Sequence, residues 1–166
     1  MSGTDVALPT HLPEPKQVKD LFTDLLDRAV ELRPGPPFAV SPSYPASIAS
    51  FVDDRLIVRA VVALDLPLSA HLGSALALVP ASGAEAAIED GALPDSTAEG
   101  LSEVFNVMAS LFNTEETAHV KLYQAHCSGA QLPHDARART QILGRREDYL
   151  VDVAGYGSGR LAVVLC

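Results

Sequence analysis

The chain has 166 residues, 48% of them hydrophobic and 20% charged, a composition that suits one soluble domain burying roughly 70% of its unfolded surface and excludes a disordered chain. A formal net charge of −9 argues against nucleic acid or an anionic membrane as partner, since both are bound chiefly through clustered Lys and Arg. Two cysteines, Cys127 and Cys166, are too few for a disulfide framework, and MSGTDVALPTHLPEP lacks the basic and apolar regions of a secretory signal, so the expected location is the cytoplasm.

Residues 1–15, with three prolines and no sustained period, read as a flexible N-terminal arm, leaving 16–166 as a single domain. From Lys16 to Leu32 apolar residues recur at spacings of three and four, which predicts an amphipathic helix ended by Arg33-Pro34-Gly35. The stretch PGPPFAVSPSYP holds at most one short edge strand. Ser47–Val52 and Leu56–Leu66 read as strands around a tight turn at Asp53-Asp54-Arg55, the second apolar enough to lie inside a sheet. A further strand is predicted over Ala70–Val79, with Gly73 marking a bulge or a close backbone approach. SGAEAAIEDG then gives a short helix stopped by Gly91.

Ser96 and Glu99 have capping-box spacing, so a long helix is expected from Thr97 into Phe112. His119–Cys127 alternates as a strand. Pro133–Leu143 fits either a short helix or a loop crossing the sheet. Asp148–Ala154 and Arg160–Cys166 flank GYGSG as two strands joined by a glycine-rich turn, with the terminal strand offering a pairable edge. The basic cluster Arg137, Arg139, Arg145 and Arg146 reads as solvated surface. No internal repeat stands out, and the pattern as a whole predicts an α+β domain with an antiparallel-rich sheet.

Chemistry is sparse. GYGSG opens a strand rather than a helix, unlike a phosphate-cradling loop. His119 and His126, seven apart on one strand, point to opposite faces and cannot share an ion there. No paired CxxC or HExxH is present. The informative segment is LSEVFNVMASLFN, residues 101–113. At about 100° per residue, Leu101, Val104, Phe105, Met108, Leu111 and Phe112 share one arc. Ser102, Glu103, Asn106, Ser110 and Asn113 share the other, with Glu103 and Asn106 one turn apart and able to act on one external object. The ordinary reading of such a pair is a solvated helix face.

An E-x-x-N segment on a long amphipathic helix, with a preceding helix, strand pairs and short helix and a closing hairpin, resembles the CheX branch of the CheC/CheX/FliY chemotaxis phosphatases over roughly Lys16–Cys166. HLGSALALVPASGAEAAIEDG and VDVAGYGSGRLAVVL resemble the family's glycine-containing strand running into a helix and its closing hairpin. The resemblance implies a CheC-like fold, an antiparallel-rich sheet packed against two long helices and one short helix. It implies hydrolysis of the aspartyl phosphate of a CheY-like response regulator, a homodimer, and no cofactor beyond the Mg²⁺ that the partner supplies. Carried over by position, Asn106 orients the attacking water and Glu103 pairs with the partner's lysine. The family usually has a small residue where this chain has Phe105, whose ring leaves the pair open if it turns inward. The first helix has no E-x-x-N, so at most one catalytic site per chain is expected. The alternative is a catalytically inactive protein of the same fold acting as a dimerisation or protein-binding module.

Overall fold

The computed structural model describes residues 9–38, 40–128 and 132–166; the first eight residues of the predicted arm lie outside them. Six strands form one antiparallel sheet: β1 (Val30–Pro34), β2 (Ala46–Val52), β3 (Val58–Asp65), β4 (Lys121–His126), β5 (Arg146–Val153) and β6 (Gly157–Leu165), in the order β1-β5-β6-β3-β2-β4. One face carries α1 (Pro15–Leu26), α2 (Leu66–Ala77) and α4 (Asp95–Met108), enclosing the main core, which includes Phe22, Phe51, Leu72, Phe105 and Phe112. α3 (Ala81–Asp90) packs on α2. The opposite face is covered by Phe38 and Val40 and by α5 (His134–Arg139), over Ile48, Val61, Ala162 and Val164. The α+β class and antiparallel sheet agree with the sequence reading.

β3 lies inside the sheet, as its apolar run predicts, and the Asp53 turn is built from side-chain chemistry. Asp53 Oδ1 accepts from the backbone N–H groups of Arg55 and Ile57, and Oδ2 accepts from Arg59 Nε at 2.7 Å. Burial works against ionisation there, but Arg59 and the two backbone donors outweigh it and hold the carboxyl below its usual range.

Five expectations are corrected. The first helix ends at Leu26, because Asp27 adopts a left-handed conformation (φ 51°), and Val30 to Pro34 join the sheet against β5. Ala70–Val79 is helix rather than strand: Asp65 caps α2 by accepting from the Leu68 N–H at 2.9 Å, and Pro67 suits the first turn. The helix is enclosed from Leu68 to Ala75, so its sequence lacks the polar stripe that marks a surface helix. The Ser96–Glu99 capping box does not form, since α4 starts at Asp95 with Pro94 as its cap residue, and Ser96 lies within the first turn. β6 lies between β5 and β3, so the chain's last strand offers no free edge. Arg146, finally, is not solvated: its guanidinium grips Asp148 through two 2.8 Å bonds and also donates to the carbonyls of Thr140 and Ile142.

The free edges belong to β1 and β4. β1 ends in Pro34, and β4 is interrupted where its register with β2 shifts between Ser50 and Phe51; both features discourage pairing with another sheet. The strand order reads the same from either edge. α1-β1-β2-β3 and α4-β4-β5-β6 are topologically equivalent halves meeting at the β3–β6 pair, each lending its first strand to the other's hairpin.

Candidate functional site

α4 owes its orientation to close packing on α2. A Cβ at Gly73 would collide with the Thr97 carbonyl oxygen, and one at Gly100 with the Gly73 carbonyl oxygen, so the two backbones touch where both residues lack side chains. Beside this crossing the buried hydroxyls of Ser74 and Thr97 lie 3.2 Å apart. On the sheet side Leu101, Val104, Phe105 and Met108 are fully buried. The helix continues through a 3₁₀ turn, Ala109–Phe112, where the Phe112 ring packs on Phe51 with centroids 5.1 Å apart. Helix, glycine crossing and aromatic pair together fix which residues of α4 face outward.

Those residues are the ones the arc assigns. Ser102, Glu103, Asn106 and Ser110 are exposed. Phe105 has no exposed surface; its ring turns into the core and does not stand over Asn106. Glu103 lines an open depression with Asp95, Ala98, Glu99 and Ser102, and Asn106 follows one turn further along. Neither the Glu103 carboxylate nor the Asn106 side-chain amide has a hydrogen-bond or ion-pair partner among the described residues. The pair is therefore presented together, on a rigid element, with a carboxylate and an amide free to engage something external. An amide both donates and accepts, which suits holding a water, and an exposed carboxylate suits an ammonium group.

Asn113 leaves the candidate set. Its amide bonds Val120 in both directions, Nδ2 to the carbonyl at 3.0 Å and Oδ1 from the N–H at 2.8 Å, joining the end of the 3₁₀ turn to the entry of β4. Ser110 likewise donates to the Val107 carbonyl. Two features escaped the sequence reading. One is the Gly73–Gly100 crossing, whose signal is small residues on two helices, visible only once Ala70–Val79 is known to be helical. The other is Cys127, whose half-buried thiol contacts the Ser102 hydroxyl beside the Glu103 face; burial pushes the thiol pKa up, and Ser102 partly offsets this.

The remaining candidates do not assemble. His119 precedes β4 and His126 ends it. Among the described residues no three His, Cys, Asp or Glu side chains converge as metal ligands, and no helix is long and apolar enough to cross a membrane.

No protein-family profile matches the chain, and no curated protein sequence matches it. Solved structures do. The X-ray structure of FliY from Thermotoga maritima superposes with a TM-score of 0.52 at 12% identity, covering 93% of this chain and 91% of that one. The CheX–CheY–BeF₃–Mg²⁺ complex from Borrelia burgdorferi gives 0.51 at 15% identity, over 88% and 90%. The FliM middle domain from H. pylori gives 0.52 at 9% identity, over 90% and 83%. Likeness at such identities concerns the path of the backbone. The chain has the CheC/CheX/FliY-like fold, which the FliM middle domain shares.

Proposed function

We propose that this protein is a CheX-like phosphatase that hydrolyses the aspartyl phosphate of a CheY-like response regulator at the α4 face. The observation that carries the proposal is the joint exposure of Glu103 and Asn106 beside a fully buried Phe105, on a fold shared with a CheX that was crystallised with CheY, BeF₃ and Mg²⁺.

In this reading Glu103 docks against a lysine beside the partner's phosphorylated aspartate. Asn106 reaches past it to the phosphoryl group, where its amide holds a water in line with the scissile P–O bond. Phosphoryl transfer asks little covalent chemistry of a protein beyond positioning and charge stabilisation. The partner contributes the phosphoryl group, its Mg²⁺ and its lysine, so the chain needs no cofactor of its own. The rigid seat of α4 on α2 serves this role directly, because misplacement of a positioning group by about 1 Å can cost on the order of a hundredfold in rate.

The test is to mix the protein with phosphorylated CheY-like receivers of its own genome and follow aspartyl-phosphate decay. Acceleration that disappears in Asn106→Ala is expected. Binding of a receiver with no change in its decay would instead identify a binding module without chemistry.

A further inference from the structure

We propose that the β1 end of the sheet face opposite α4 holds a binding site for a free α-amino acid, a small molecule that carries both an ammonium and a carboxylate. The site is a cleft of about 400 Å³ lined by Glu31, Arg33, Leu150, Asp152 and Ser158, a size within the range of small-molecule sites. Phe38, Val40 and α5 cover this face of the sheet over β2, β3 and β6, whereas Glu31, Arg33, Asp152 and Ser158 are exposed.

Strand register explains how the charges come to stand together. Val30, Val151, Val153 and Leu161 point into the main core, so the alternate residues Glu31, Arg33, Leu150, Asp152 and Ser158 share the other face. Across the strands they form two rows. In the first, Glu31 pairs with Asp152 and Asp152 with Ser158; in the second, Arg33 pairs with Leu150 and Leu150 with Arg160. The first row sets two carboxylates directly opposite each other, which is unfavourable in a sheet. Lys19 Nζ reaches Glu31 at 3.1 Å, but both side chains are largely exposed, and such pairs contribute little. The side-chain hydrogen bond that Asp152 accepts comes from the Ser158 hydroxyl, at 3.2 Å.

The second row has the reverse imbalance. Arg33 faces the apolar Leu150, and its guanidinium has no hydrogen-bond or ion-pair partner among the described residues. The neighbouring charges are committed elsewhere: Arg146 holds Asp148, and Arg160 donates to the Pro36 carbonyl and stacks over the Phe38 and Tyr44 rings. The cleft thus places two opposed carboxylates beside an unpaired cation. An ammonium next to Glu31 and Asp152 relieves their repulsion, and a carboxylate satisfies Arg33, whose guanidinium can grip it through two parallel bonds. Successive same-face residues of a strand lie about 7 Å apart, a span that one short molecule bridges with a charge-assisted bond at each end. Leu150, half-buried beside Arg33, supplies an apolar contact for the ligand's side chain. A simple anion or a simple cation meets only half of this pattern.

The experiment is saturation-transfer-difference NMR on the full chain with each proteinogenic L-amino acid in turn, followed by calorimetry with those that bind. Binding of at least one is expected, and it should be lost when the amino group is acetylated or the carboxylate is converted to a methyl ester. Arg33→Ala and Asp152→Asn, both on exposed surface, should each weaken binding about tenfold or more. The urea midpoint of Arg33→Ala should be unchanged and that of Asp152→Asn equal or higher, since the second variant removes one of two opposed carboxylates. Absence of binding by every amino acid, equal binding of the acetylated or esterified form, or unchanged affinity in either variant would overturn the site.

Discussion

At the scale of single residues, burial decides what each polar group can do. Asn106 is available because Phe105, its neighbour, spends its ring on the core. Tyr149 is the reverse case. It is 3% exposed, its hydroxyl has no partner among the described residues, and burial, with Glu147 and Asp148 nearby, pushes its pKa up to about 12. An unpaired buried hydroxyl contributes nothing to offset its desolvation, so Tyr149→Phe should leave stability unchanged or raise it by about 1 kcal/mol in urea unfolding. His71 offers a second check. Its ring packs near Tyr156 with Nδ1 unpartnered. Burial lowers its pKa below the usual 6.5, opposed by Asp65, Asp152, Glu85 and a bond to the Ser158 backbone. The unfolded chain therefore binds this proton more readily than the folded one. The stabilising contribution is complete above pH 6.5 and is lost as pH falls toward and through the lowered value. The melting temperature should drop between pH 7 and 5, and His71→Leu should flatten that slope whatever its absolute stability.

At the scale of elements, the α2–α4 contact is the feature on which the site depends. Gly100→Ala introduces a methyl against the Gly73 carbonyl, and overpacking of this kind typically costs about 1–3 kcal/mol. The expected result is a destabilised protein whose α4 face is displaced, read as a lower urea midpoint together with slower receiver dephosphorylation. This crossing was not legible in the sequence, and the reason is physical. α2 is surrounded by sheet, α1, α3 and α4, so its polar residues Ser69, His71 and Ser74 are themselves buried and mark no outward stripe, while Gly73 inside an apolar run resembled a strand irregularity. The signal that was present, Asp65 followed by Pro67, lay just ahead of the segment read as a strand. α4 was legible because it is half exposed: Leu101, Val104, Phe105 and Met108 against Ser102, Glu103 and Asn106 is the alternation that a surface helix writes into sequence. The C-terminal hairpin was legible from its glycines, of which Gly155 (φ 83°) and Gly157 (φ 145°) occupy backbone regions that favour glycine.

At the scale of the whole molecule, sheet order carries information that no local window holds. The terminal strand was expected at an edge and is interior, because its partner β3 lies about a hundred residues earlier in the chain and no pattern within either strand specifies that pairing. The same long-range order shows the two equivalent halves, each with a buried Phe and an exposed carboxylate on its leading helix. The proposed phosphatase activity requires that α4 act on a receiver phosphate. The most direct measurement is steady-state dephosphorylation of a phosphorylated CheY-like receiver of the same genome, with the protein substoichiometric so that turnover is visible. Asn106→Ala should lower kcat by about a hundredfold or more with KM nearly kept, and Glu103→Ala should act mainly by raising KM. Receiver decay at the uncatalysed rate with the wild-type chain, or equal rates for wild type and Asn106→Ala, would contradict it.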